Sequence, residues 1–134
     1  MIKGGGGALL REKVLIRAAK KTVILASENK FSNILGEHQS VPVEILPFAR
    51  SFIFNEIKKL EGKPSLRVDT KGYPFLTENG NLIIDTDFGL IYDPPELLAG
   101  IKNIPGVIEV GIFIEKIFRV YKAYENGIIE LINP

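Results

Sequence analysis

The chain has no cysteine and no tryptophan, and only one histidine, His38, and one methionine, Met1. Without cysteine there can be no disulfide and no thiolate chemistry, which suits a reducing, cytoplasmic setting. A single histidine leaves little material for a transition-metal site. Charge of one sign is also scarce: the net charge is +1. With no large basic field, nucleic acid and acidic membrane surfaces are poor candidates for partners. No run approaches the ~20 apolar residues that a membrane-spanning helix needs. The N-terminus has glycines where a signal peptide would have its apolar core. What remains is a 134-residue chain, 46% hydrophobic and 25% charged. That is the make-up of a globular protein with one ordinary domain or two small layered units.

The most distinctive stretch is at the start, MIKGGGGALLREK. Gly4 to Gly7 follow Lys3 and lead into a helical pattern over 8–20. Glycines let a ligand approach the backbone closely and reach backbone angles closed to other residues. The helix start adds unpaired N–H groups and the positive end of a dipole. Together they suit an anion or a developing oxyanion. On the helical wheel Lys13, Arg17 and Lys20 share one face, which is expected to be wet, and Arg11 and Glu12 fall inside the apolar arc. A carboxylate against apolar neighbours has its charged form disfavoured, which tunes it toward proton transfer near neutral pH. Pairing of Glu12 with Arg11, Arg17 or a lysine in an ordinary helix is the plainer alternative.

Further along, Thr22 to Ser27 (TVILAS) is a continuous apolar run, as in a strand buried on both faces. The polar loop after it carries Lys30, at the strand end where open α/β sheets collect ligands. A linker over 36–41 precedes a strand over 42–48 and a helix over 49–61 with Ile53, Ile57 and Leu60 on one side and Gly62 as its stop signal. Strands follow over 63–69 and 82–88, the second entered by a hairpin-like turn at Asn79-Gly80-Asn81. Asp93 caps a helix opening with Pro94 and Pro95, Ile104-Pro105-Gly106 ends it, and a strand follows over 107–114. The order β-α-β-β-α-β is that of the ferredoxin-like split βαβ. The tail is an Asn126-Gly127 hairpin, expected to return to the sheet of Thr22 to Ser27. The aromatics Phe48, Phe52, Phe54 and Phe75 are expected in the core. The glycine run fits neither a P-loop nor a dinucleotide fingerprint.

These residues resemble the type A ribose-5-phosphate isomerases. KGGGGALLREK (3–13), the Lys30 loop, PVEILPFARS (42–51), TENGN (77–81), DPPEL (93–97) and IPGVIEVGIF (104–113) stand in that family's order. The resemblance implies an aldose–ketose isomerase that interconverts ribose 5-phosphate and ribulose 5-phosphate in the non-oxidative pentose phosphate pathway, without metal or organic cofactor. By position it makes Glu12 the catalytic base and Lys3, Gly4, Gly5, Gly6 and Lys30 substrate-binding. The implied fold is α/β: a remnant of a Rossmann-like open sheet over 1–38 and 115–134, with a ferredoxin-like domain inserted over 39–114. A homo-oligomer, dimer or tetramer, is expected.

The chain departs from the family by lacking its N-terminal portion, with the Ser/Thr-rich phosphate loop and the Asp-Gly-Ala-Asp-Glu segment, as in a truncated product, a miscalled start or a fragment. The isolated chain is therefore expected to be inactive or nearly so, and to expose an apolar patch on the helix over 8–20 and the strand over 22–27. A smaller departure is Ile114-Glu115-Lys116, where the family usually has Ala-Asn-Arg. The competing reading is a non-catalytic ferredoxin-like module for subunit association or small-ligand binding.

Overall fold

A computed structural model describes residues 1–132; Asn133 and Pro134, the end of the unit expected over 115–134, lie outside the described residues. In chain order the elements are α1 (Leu9–Ala18), β1 (Val23–Ser27), β2 (Val41–Ile45), α2 (Arg50–Lys59), β3 (Lys63–Leu66), β4 (Leu82–Asp87), α3 (Pro94–Lys102), β5 (Val107–Val110), β6 (Arg119–Ala123) and β7 (Ile129–Ile132). They form two sheets. One is four-stranded and antiparallel, in the order β3-β4-β2-β5. The other is three-stranded, in the order β1-β6-β7, with β1 parallel to β6. The first has the ferredoxin-like order, and in the second the tail hairpin returns to β1 as expected.

Strand alternation gives the four-stranded sheet two different faces. Val41, Val43, Ile45, Leu82, Ile84 and Val110 form the main core with Ile53 and Ile57 of α2 and Ile101 of α3. Glu44, Ile83, Asp85 and Glu109 alternate with them and occupy the opposite face. There Ile83 joins Leu9 of α1 and Phe113 in a second, smaller core. The sheet therefore has α2 and α3 on one side and the glycine run with α1 on the other.

Local signals act as their chemistry dictates. Asp93 accepts a hydrogen bond from the Glu96 N–H at 2.9 Å, capping α3, which opens with Pro94 and Pro95. Glu61, not Gly62, takes the positive φ (62°) after α2. Gly62 is needed for packing instead: a Cβ there would come within 2.6 Å of the Phe88 ring and 2.7 Å of Thr86 Cγ2. Leu60 is exposed rather than inward-facing, because α2 has already ended at Lys59.

Three further expectations are corrected. Lys13 is not on a wet face: it is 3% exposed, while Val14 and Leu15 are exposed at 57% and 69%. α1 turns Leu9, Lys13 and, partly, Ile16 inward, because the sheet face it meets carries the carboxylate of Glu109 as well as apolar groups. β1 is not buried on both faces; Val23 and Leu25 are exposed, since no layer among the described residues covers their side of the three-stranded sheet. With Val14 and Leu15 they make the apolar exposure expected for this part of the chain. Phe48 and Phe52 lie outside the core, Phe48 being fully exposed on a short 3-10 turn (Pro47–Ala49) before α2, whereas Phe54 and Phe75 pack against the two cores.

Candidate active site

The glycine run folds into a tight turn closed by the Gly7 N–H donating to the Gly4 carbonyl at 3.0 Å. Gly4 and Gly7 adopt positive φ (99° and 87°), which favours glycine there. They are also hemmed in: a Cβ on Gly4 would lie 2.7 Å from Leu9 Cβ, and one on Gly7 2.5 Å from the Phe75 ring. Gly5 and Gly6 are different. Neither has positive φ, and a Cβ on either would meet nothing within 4 Å. The outer pair shapes the turn, and the inner pair leaves open space beside its amides.

At the rim of this turn Lys3 Nζ stands 3.0 Å from Glu12 Oε1, each side chain about one-third exposed. The other Glu12 oxygen, Oε2, is buried and has no hydrogen-bond partner among the described residues. Glu12 is thus paired with a lysine rather than set against an apolar wall. Arg11 points away, exposed, to an ion pair with Glu78.

One segment, 109–113, carries both halves of this pair. The Lys3 N–H donates to the Gly111 carbonyl at 2.9 Å, and the Phe113 N–H donates to Met1 at 2.8 Å. A side chain at Gly111 would collide with the Lys3 carbonyl oxygen. Lys13, the residue after Glu12, sends its ammonium to Glu109 Oε1 (2.9 Å) and to the carbonyls of Val110 (2.7 Å) and Ile112 (3.0 Å). It also lies 4.7 Å from the Phe113 ring centroid. A buried ammonium needs this full set of partners. Burial alone would raise the Glu109 pKa, but the Lys13 hydrogen bond, the Val110 N–H and the charges of Lys13 and Lys102 outweigh it and hold the carboxyl below its ordinary value. In the departing stretch Ile114-Glu115-Lys116, Glu115 pairs with Arg17 at 3.0 Å, a second tie between α1 and this segment.

Lys3, Gly4, Gly5, Gly6, Glu12 and Lys30 all line one cleft of about 800 Å³ between the glycine turn and the carboxyl end of β1. Lys30 closes a short 3-10 turn (Glu28–Lys30) directly after β1 and is exposed. Among the described residues no three His, Asp or Glu side chains come together as metal ligands would.

Two groups escaped the sequence reading. Arg67, just after β3, pairs with Asp85 of β4 through Nε–Oδ2 (2.8 Å) and Nη2–Oδ1 (2.5 Å), and its Nη1 donates to the carbonyls of Gly4 (3.0 Å) and Gly5 (2.9 Å). Glu44, fully buried on β2, accepts from Thr77 Oγ1 (2.9 Å), Asn79 Nδ2 (3.0 Å) and Asn81 Nδ2 (2.9 Å), which explains why TENGN follows PVEIL in this chain. The available signal was the strand alternation, which puts Glu44 and Asp85 on the face toward the glycine turn.

Comparisons with known proteins bear on the family and the fold. The family model described as ribose 5-phosphate isomerase A (phosphoriboisomerase A) matches residues 1–127. The chain is 42% identical over its whole length to a ribose-5-phosphate isomerase A of Roseiflexus sp. (strain RS-1), covering 58% of that protein. It is 44% identical over 131 residues to the ribose-5-phosphate isomerase of Schizosaccharomyces pombe, covering 48% of it. The ribose 5-phosphate isomerase A structure from Methanocaldococcus jannaschii superposes with a TM-score of 0.91 at 37% identity over the whole chain, 59% of that structure. A D-ribose-5-phosphate isomerase in complex with phospho-erythronic acid gives 0.94 at 35% identity, again over the whole chain and 58% of that structure. The chain thus spans just under three-fifths, or less, of these relatives, and it belongs to the ribose 5-phosphate isomerase A family.

Proposed function

We propose that this chain is the base-carrying part of an aldose–ketose isomerase that interconverts D-ribose 5-phosphate and D-ribulose 5-phosphate. The observation that carries the reading is the Lys3–Glu12 pair, 3.0 Å apart at the edge of an open glycine turn. In the aldose-to-ketose direction, Glu12 takes the proton from C2 of the open-chain sugar. The bonding pair moves into a C1–C2 enediolate, with the negative charge on O1. The O2 hydroxyl proton passes to O1, and Glu12 returns its proton to C1 as O2 becomes the ketone oxygen. One carboxylate serves both transfers because C1 and C2 are neighbours. The Lys3 ammonium and the amides of Gly5 and Gly6 supply positive potential where the enediolate charge develops, and Lys30 adds a cation in the same cleft. Phospho-erythronic acid, bound by one relative, is a fitting probe because its planar carboxylate resembles the enediolate end.

In this reading residues 1–38 and 115–134 make up the catalytic part, and 39–114 the inserted ferredoxin-like unit. The test is to join the chain to the N-terminal portion of a full-length relative and compare Glu12 with Glu12→Gln. The variant is expected to lose at least about a hundredfold in turnover, the range of general-base catalysis, with an unchanged melting temperature. Full turnover by Glu12→Gln would sink the reading. The chain alone is expected to turn over weakly or not at all, and robust turnover by it would overturn that expectation and leave the isomerase reading standing. The second reading is a non-catalytic ferredoxin-like module for subunit association or small-ligand binding, and the exposed Phe48 and Phe52 favour its association side.

A further inference from the structure

We propose that Arg67, held by Asp85, is a positioning residue that fixes the glycine turn as an anion cradle before any ligand arrives. In a trans peptide the C=O of one residue and the N–H of the next point in opposite directions. Arg67 Nη1 draws the carbonyls of Gly4 and Gly5 toward the four-stranded sheet. The N–H groups of Gly5 and Gly6, in the same two peptide planes, therefore face the other way, toward the cleft that both residues line. Among the described residues these amides donate to nothing.

Glycine makes such a clamp necessary. Gly5 and Gly6 have open space around them and no side chain to limit them, so an unheld turn would sample many orientations and lose that freedom on binding. Arg67 suits the task because its planar fork binds the carboxylate of Asp85 with two nitrogens while a third holds both carbonyls. Its side chain is only 14% exposed and its guanidinium carbon lies 5.8 Å from the Phe75 ring centroid. Phe75 in turn stands against Gly7, so the turn is backed at both ends. A lysine at 67 would supply charge without the fork. The inference rests on the isomerase reading only for the identity of the anion.

The experiment has two readouts on the same chain. Backbone ¹⁵N relaxation of the free protein reports the order of Gly5 and Gly6, and titration with phospho-erythronic acid reports binding through the same amides. In the unaltered chain the order parameters are expected near about 0.85, and in Arg67→Gln below about 0.6. Binding should weaken on the order of tenfold, the worth of one or two well-aligned amide hydrogen bonds. Arg67→Lys should fall between, and Arg67→Gln/Asp85→Asn serves if the single variant, left with an unpaired Asp85, fails to fold. Unchanged order of Gly5 and Gly6 in a folded variant overturns the proposal, as does undiminished binding. If the unaltered chain ignores phospho-erythronic acid while the order parameters still fall, the clamp is supported and the ligand assignment is what fails. A purely structural Arg67 would lower stability and leave both amides as ordered as before.

Discussion

The two sheets of this protein contrast sharply in how they treat apolar side chains. β2, with the sequence VPVEI, is buried at every position, including its glutamate. β1, with VILAS, is the more apolar strand, yet Val23 and Leu25 are exposed, Leu25 at 77%. The difference lies in the layers. β2 is the inner strand between β4 and β5, with α2 and α3 over one face and α1 over the other. β1 pairs only with β6, and nothing described covers the side occupied by Val23 and Leu25. A strand's composition states what it would bury, and only a second layer determines whether it does.

The largest effect is expected where α1 covers the four-stranded sheet, the layer that β1 lacks. Lys13→Met leaves Glu109 with only the more exposed Lys102, 3.4 Å from its other oxygen, and should cost about 3 kcal/mol in urea unfolding, the low end of the penalty for removing one member of a buried pair. A cost near zero would mean that the Lys13–Glu109 pair does not hold α1 on the four-stranded sheet. Next comes the interior of the four-stranded unit against the surface of the three-stranded sheet. Ile57→Ala, at a fully buried position, should cost about 3 kcal/mol, and Leu25→Ala no more than about 0.5 kcal/mol. Equal costs would show that β1 is covered in solution. The smallest effect concerns acid. Glu109 has its pKa lowered in the folded chain, so its contribution is complete above its ordinary value of 4.5 and is lost as pH falls through the folded value. Urea midpoints should therefore decline below about pH 4.5, and Glu109→Gln should flatten part of that decline.

Legibility from sequence followed the range of the interactions. Asp93 before two prolines, Asn126-Gly127 between apolar runs, and the β-α-β-β-α-β order depend on neighbouring residues, and the structure follows them. Lys13 was misread because a helical wheel ranks faces by composition. Here the inward face was chosen by Glu109, far away in the chain. Gly62 resembled a helix stop, but its reason is the nearness of Phe88 and Thr86 on another element. The glycine turn and its lysine were visible as a motif. The fork of Arg67 behind them was not, because nothing in KPSLRV points to residues 4 and 5 until strand pairing puts Asp85 beside it.

Met1 to Lys3 are matched against 111–113, and Lys13 reaches Val110 across 97 positions of chain. On a ribosome this has a plain result. Residues 1–13 cannot take up their final arrangement until the stretch through residue 113 has been made, since closing so long a loop has nothing to reward it earlier. The intervening ferredoxin-like unit, with its own interior, can organise first. The cleft is then completed only after that unit has organised, even though its lysine and glutamate precede the unit in the chain.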